Sequence, residues 1–154
     1  MSKQAFDEAV ERLAEAIGDD PLDTVLAQRL NQAFPADGEV FRNLAALCAE
    51  GQAERWLMQR EAGGIKYGRA VKPGGIAGRF SVDVVRMGDI AGPHHVHTTG
   101  EIGAVMPIAG TPTFDGMLPG WYVYPPGSDH SPTVAGGEAY VLYLLPEGAI
   151  EFTG

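Results

Sequence analysis

The feature that most constrains this fold is a break in pattern at Gly51. Before it, apolar residues recur every three or four positions, as on one face of a helix. After it, Gly and Pro punctuate short segments rich in Val, Ile, Tyr and Phe. Three helices are expected before the break. Phe6, Val10, Leu13 and Ile17 form the stripe of the first. The second is expected to begin with Asp20 as N-cap and Pro21 in the first turn, with Leu22, Val25, Leu26 and Leu30 as its stripe. The third starts near Asp37, carries Phe41, Leu44, Leu47 and Cys48 on one face, and is expected to end on Gly51 as its C-terminal cap.

Beyond the break, strands are expected near 54–60, 65–71, 79–87, 94–98, 101–109, 112–115, 121–125, 130–135, 138–145 and 149–153. No helical interval separates them, which points to an antiparallel sandwich or barrel rather than βαβ units. The expected organisation is a helical segment, 1–52, packed on a β-barrel domain, 53–154, in a mainly β fold.

The chain of 154 residues is long enough for one core. Its net charge of -9 and lack of any Lys/Arg cluster exclude a nucleic-acid partner. No apolar run is long enough to cross a membrane. The charged, helical N-terminus does not read as a leader, so the cytoplasm is the expected location. The single cysteine, Cys48, cannot form an intrachain disulfide and reads as a buried, inert thiol. An open edge strand needs covering, and a homodimer is the expected assembly.

All four histidines fall in two phrases, "GPHHVHTTGEIG" and "YPPGSDH". On a strand, side chains two apart share a face, so His95 and His97 can reach one point while His94 faces away. Thr98-Thr99-Gly100 reads as a turn, after which Glu101 can lie beside the pair, and His130 follows a tight turn at Pro125-Pro126-Gly127. Three neutral imidazoles and a carboxylate make a mixed N/O donor set for a divalent transition metal such as Fe, Mn, Ni or Zn.

The two phrases resemble the paired motifs of the cupin superfamily, G-x5-H-x-H-x3/4-E-x6-G and G-x5-P-x-G-x2-H-x3-N. The resemblance spans about residues 88 to 134 and implies a jelly-roll barrel with His95, His97, Glu101 and His130 as metal ligands. Flanking positions depart from the pattern. Gly88 is one residue far, Gly110 two late and Gly120 one near, and Val134 stands at the terminal Asn position. These shifts alter loop lengths and leave the four ligand positions intact.

The whole layout, an acidic helical third followed by one cupin, resembles the small bacterial 4-hydroxylaminobenzoate lyase family of nitroaromatic degradation. That resemblance implies conversion of 4-hydroxylaminobenzoate to protocatechuate with release of ammonia. The implied partner is a small aromatic carboxylate. Arg69 and Arg86, flanked by apolar or small residues, are the candidates to hold its carboxylate, and Tyr122 and Tyr143 to hold its ring. Tyr124 and His94 are the candidates for proton transfer, and nothing in the spacing chooses between them. The same donor set suits an Fe(II) cupin dioxygenase, and a non-catalytic small-molecule-binding cupin is the third reading.

Overall fold

The computed structural model describes residues 2–153. Three helices come first: α1 (Ser2–Ile17), α2 (Thr24–Ala33) and α3 (Glu39–Glu54). The stripes of α1 and α3 are buried as the spacing predicts. The start of α2 differs. Its N-cap is Asp23, whose side chain accepts a hydrogen bond from Leu26 N at 3.0 Å, while Asp20 pairs with Arg29 at 2.7 Å. Leu22, Leu26 and Leu30 are buried, but Val25 is exposed, because it falls off the edge of the i, i+4, i+8 row.

The end of α3 also differs. Gly51 lies inside the helix, and Arg55 takes the left-handed C-cap conformation at φ 67°. Gly51 is needed for close approach instead: a Cβ there would lie 2.9 Å from both Trp56 and Leu57. The strand expected at 54–60 is absent: the helix and its cap take Glu54 and Arg55, residues 56–59 are irregular, and the first strand begins only at Arg60.

Nine strands follow: β1 (Arg60–Ala62), β2 (Ile65–Val71), β3 (Phe80–Ala91), β4 (His95–His97), β5 (Glu101–Phe114), β6 (Gly120–Tyr124), β7 (Ser128–His130), β8 (Thr133–Pro146) and β9 (Glu151–Phe152). The segments expected at 101–109 and 112–115 are one strand, β5, with register shifts near Ala109 and Gly110. The pieces expected at 130–135 and 138–145 likewise merge into β8, leaving His130 on the separate β7. Bulges keep a strand continuous where Gly and Pro suggest a stop.

All pairings are antiparallel. One sheet has the order β1-β2-β3-β8-β5-β6 and the other β7-β4-β9. Together they form the barrel. One face of the large sheet packs on the helices, where Phe6, Leu30 and Leu44 share a buried cluster with Val84, Ile102 and Leu142. The opposite face carries a second cluster with Met87, Val105, Phe114 and Val141. The β6 edge is closed by α2: Asn31 donates to Trp121 O at 3.0 Å and accepts from Trp121 N at 2.9 Å, like a neighbouring strand. No helix among the described residues is long and apolar enough to cross a membrane.

Candidate metal centre

Antiparallel pairing brings the two histidine phrases together. His95 on β4 stands opposite His130 on β7, and both His95 and His97 point to the same side. The Thr98–Gly100 turn then reverses the chain. Gly100 sits at φ 90°, a conformation glycine adopts without strain, and its N–H bonds His97 O at 3.1 Å. This turn delivers Glu101 at the start of β5.

The Nε2 atoms of His95, His97 and His130 lie 3.0 Å from one another. Glu101 Oε1 lies 3.0 Å from His97 Nε2, and all four donor atoms fall within 4.8 Å. Two of the imidazoles have fixed tautomers. His95 Nδ1 donates to Pro93 O at 3.0 Å, and His130 Nδ1 donates to Asp115 Oδ2 at 2.7 Å. Each therefore turns an Nε2 lone pair toward the shared point. Burial, followed by repulsion from the neighbouring imidazoles, pushes the His95 pKa down to about 4, so the ring is neutral at ordinary pH.

Lone pairs 3.0 Å apart, beside a carboxylate that is 3% exposed, lack a positive centre. A divalent cation would supply it. The residues thus fit a metal ion.

Asp115 supports this arrangement. It accepts hydrogen bonds from His130 Nδ1 at 2.7 Å, from the Tyr124 hydroxyl at 2.5 Å and from Thr133 N at 2.9 Å. Burial raises its pKa, but these bonds outweigh burial and hold the carboxyl below its ordinary value. Its φ of 50° places it in the turn with Gly116. The sequence analysis missed Asp115, although its Asp-Gly pair is a turn signal.

Of the four metal-centre residues, His97 lies buried behind the other three, and His95, Glu101 and His130 line a cavity of about 320 Å³. Its remaining wall is mainly apolar, with Val85, Met87, Phe114 and Val141, and includes the rings of Tyr67, Tyr122 and Tyr143. Tyr122 lies across Gly103, where a Cβ would come within 2.1 Å of its ring. The Tyr122 hydroxyl and Glu101 Oε2 are both buried without a hydrogen-bond partner, as is His97 Nδ1. Burial, followed by the charge of Glu101, raises the Tyr122 pKa well above its ordinary value, so its phenol stays protonated.

The other candidates are placed elsewhere. Tyr124 stacks on His97, with ring centres 6.5 Å apart, rather than lining the cavity. His94 is turned to the surface, where it bonds Asp129 at 2.7 Å and also Thr153. Arg86 is on the helix-facing side of β3, with its guanidinium held by Glu138 at 2.9 and 3.0 Å and by Gln52 at 2.7 Å. It does not reach the cavity. Arg69 faces the barrel interior, where Asp83 accepts from it at 3.0 and 3.3 Å. Burial raises the Asp83 pKa against the opposing effect of Arg69.

The family model for 4-hydroxylaminobenzoate lyase (PnbB) matches residues 8–152. The chain belongs to this lyase family. It is 29% identical over 140 residues to a 4-hydroxylaminobenzoate lyase of Pseudomonas putida, with 80% of each protein covered. It is 30% identical over 138 residues to a 4-hydroxylaminobenzoate lyase of Nocardioides sp. (strain LMS-CY), covering 82% of this chain and 80% of that protein. Among solved structures it is similar to one described for the DMSP lyases RdDddP and RnDddQII. That match has a TM-score of 0.59 and 15% identity, covers 99% of this chain and 98% of the other, and shows the fold. The chain is thus an enzyme of the lyase family built on one cupin barrel, in which three histidines and one glutamate form a cluster that can bind a metal.

Proposed function

We propose that this protein is a metal-dependent lyase that converts 4-hydroxylaminobenzoate to protocatechuate and ammonia. Family membership supports the reaction. The single structural observation that carries it is the convergence of three Nε2 atoms and the Glu101 carboxylate at the end of an apolar cavity. His95, His97, Glu101 and His130 would hold the ion. Neutral imidazoles with one carboxylate suit a divalent transition ion such as Fe(II), Mn(II), Ni(II) or Zn(II). The bound ion supplies Lewis acidity toward the N–OH oxygen and toward the water that the reaction consumes.

The chain's own residues orient the substrate and limit its water. Phe114 and Tyr122, stacked with centres 5.0 Å apart, offer a wall to a flat ring. Tyr143 faces the same space, and burial raises its pKa, so it too stays protonated. Asp115 and the Pro93 carbonyl hold the histidine tautomers that the site requires.

Substrate plus one water supplies every atom of protocatechuate and ammonia, so no oxidant is needed. Purified, metal-analysed protein given 4-hydroxylaminobenzoate without oxygen should yield both products in equal amounts. A strict oxygen requirement would instead mark a dioxygenase, and ligand binding without product a binding protein. The reading places the protein in the cytoplasm as a homodimer, with the helical segment 1–52 packed on the domain 53–154. The edge left for pairing in the large sheet is β1, since Asn31 closes β6; sedimentation tests the dimer itself.

A further inference from the structure

The metal-centre cavity has no Lys or Arg in its wall. Away from the metal ligands, nothing in that wall compensates the charge of an aromatic carboxylate. A second, larger cavity of about 490 Å³ adjoins it, sharing Tyr67, Tyr143, Ile150 and Phe152. It holds none of the four ligand residues, but its wall includes Arg60, Arg69 and Lys72 against a single acid, Asp83. In a chain of net charge -9 this is a local reversal of sign.

The cations are available in different degrees. Arg69 is fixed, with Nε and Nη2 bound to Asp83 and Nη2 also to Gly148 O at 3.3 Å, while Nη1 makes no hydrogen bond. Among the described residues, Arg60 and Lys72 make no ion pair. Strand register runs from this cluster to the metal centre. Arg69 pairs with Asp83, Asp83 with Tyr143, Tyr143 with Gly103, and Gly103 with Tyr122. Glu101 is two residues along β5 from Gly103, on the same face.

We propose that the second cavity is an anion-binding vestibule that takes the carboxylate of an aromatic acid. The ring passes between Tyr67 and Tyr143, and the group opposite the carboxylate reaches the histidines. Arg69 offers Nη1 as a pre-oriented donor, and Arg60 and Lys72 add charge that draws carboxylates to the mouth. This inference rests on the aromatic-carboxylate part of the lyase reading.

The test is binding of 4-aminobenzoate and of its uncharged isostere 4-aminobenzamide to the metal-loaded protein, by calorimetry. The parent should prefer the carboxylate by about tenfold or more, and added salt should erode the preference. The double variant Arg60→Gln/Lys72→Gln should lose the salt-sensitive part of that preference, with Arg69 retaining the rest. Both residues lie outside every ion pair seen here, so the variant should fold, which its circular dichroism checks. Equal binding of the two compounds by the parent, binding of neither, or an unchanged preference in the variant would overturn the vestibule. Discrimination in a protein that fails to convert 4-hydroxylaminobenzoate would retire the lyase reading and support the vestibule alone.

Discussion

The two faces of the large sheet are made by the same strands but carry opposite chemistry. On β5, Ile102, Ala104 and Met106 pack among the helices, fully buried and without polar groups. The alternate residues Glu101, Gly103 and Val105 face the barrel interior. There a carboxylate, a glycine under a tyrosine ring and one valine replace ordinary packing. The strand's period of two lets one segment stabilise the fold and equip the site independently. Substitutions on one face should therefore damage stability, and those on the other should damage metal binding.

The largest effect expected is on the cavity side. His97→Ala should abolish both metal retention and turnover, read by elemental analysis and product assay, with a folded circular dichroism spectrum. Full activity in that variant would break the division of labour. On the helix side, Phe6→Ala should cost about 3–5 kcal/mol in denaturant unfolding. The metal content of its folded fraction should be unchanged. A parallel loss of metal would show that the faces are coupled.

Asp115→Asn sharpens the comparison, because this residue is outside the four-donor cluster yet sets the His130 tautomer. Metal affinity should fall by about 10–100-fold. Gly103→Ala should displace Tyr122 and lower ligand affinity, with a stability cost of about 1–3 kcal/mol. The smallest effect concerns Cys48 on the helix side, whose thiol burial pushes up to about 12. Iodoacetamide at pH 8 should label it only after unfolding, since the thiolate is the reactive form.

Much of this was legible in the sequence, for identifiable reasons. The stripes of α1 and α3 follow from helical spacing, and the ligand-type residues from two motifs with short internal spacing. The arginines were not separable that way. Arg69 on β2 and Arg86 on β3 have similar small or apolar neighbours, and both faces of β3 are buried over much of its length, so alternation does not show which way Arg86 points. Only the pairing of β2 with β3 puts Arg69 against Asp83, and only α3 brings Gln52 to Arg86. Asp115 and Tyr67 were missed because their partners are distant in sequence or simply the cavity itself. The pattern does change after α3, but Gly51 lies inside that helix and serves packing against Trp56 rather than capping.

The central claim is that the cavity face holds one catalytic divalent ion. It is tested most directly by stripping the purified protein with a chelator and reloading it without oxygen. The stripped protein should release no ammonia from 4-hydroxylaminobenzoate, and one equivalent of a divalent ion per chain should restore equal yields of ammonia and protocatechuate. Undiminished turnover by the metal-free protein would contradict the account.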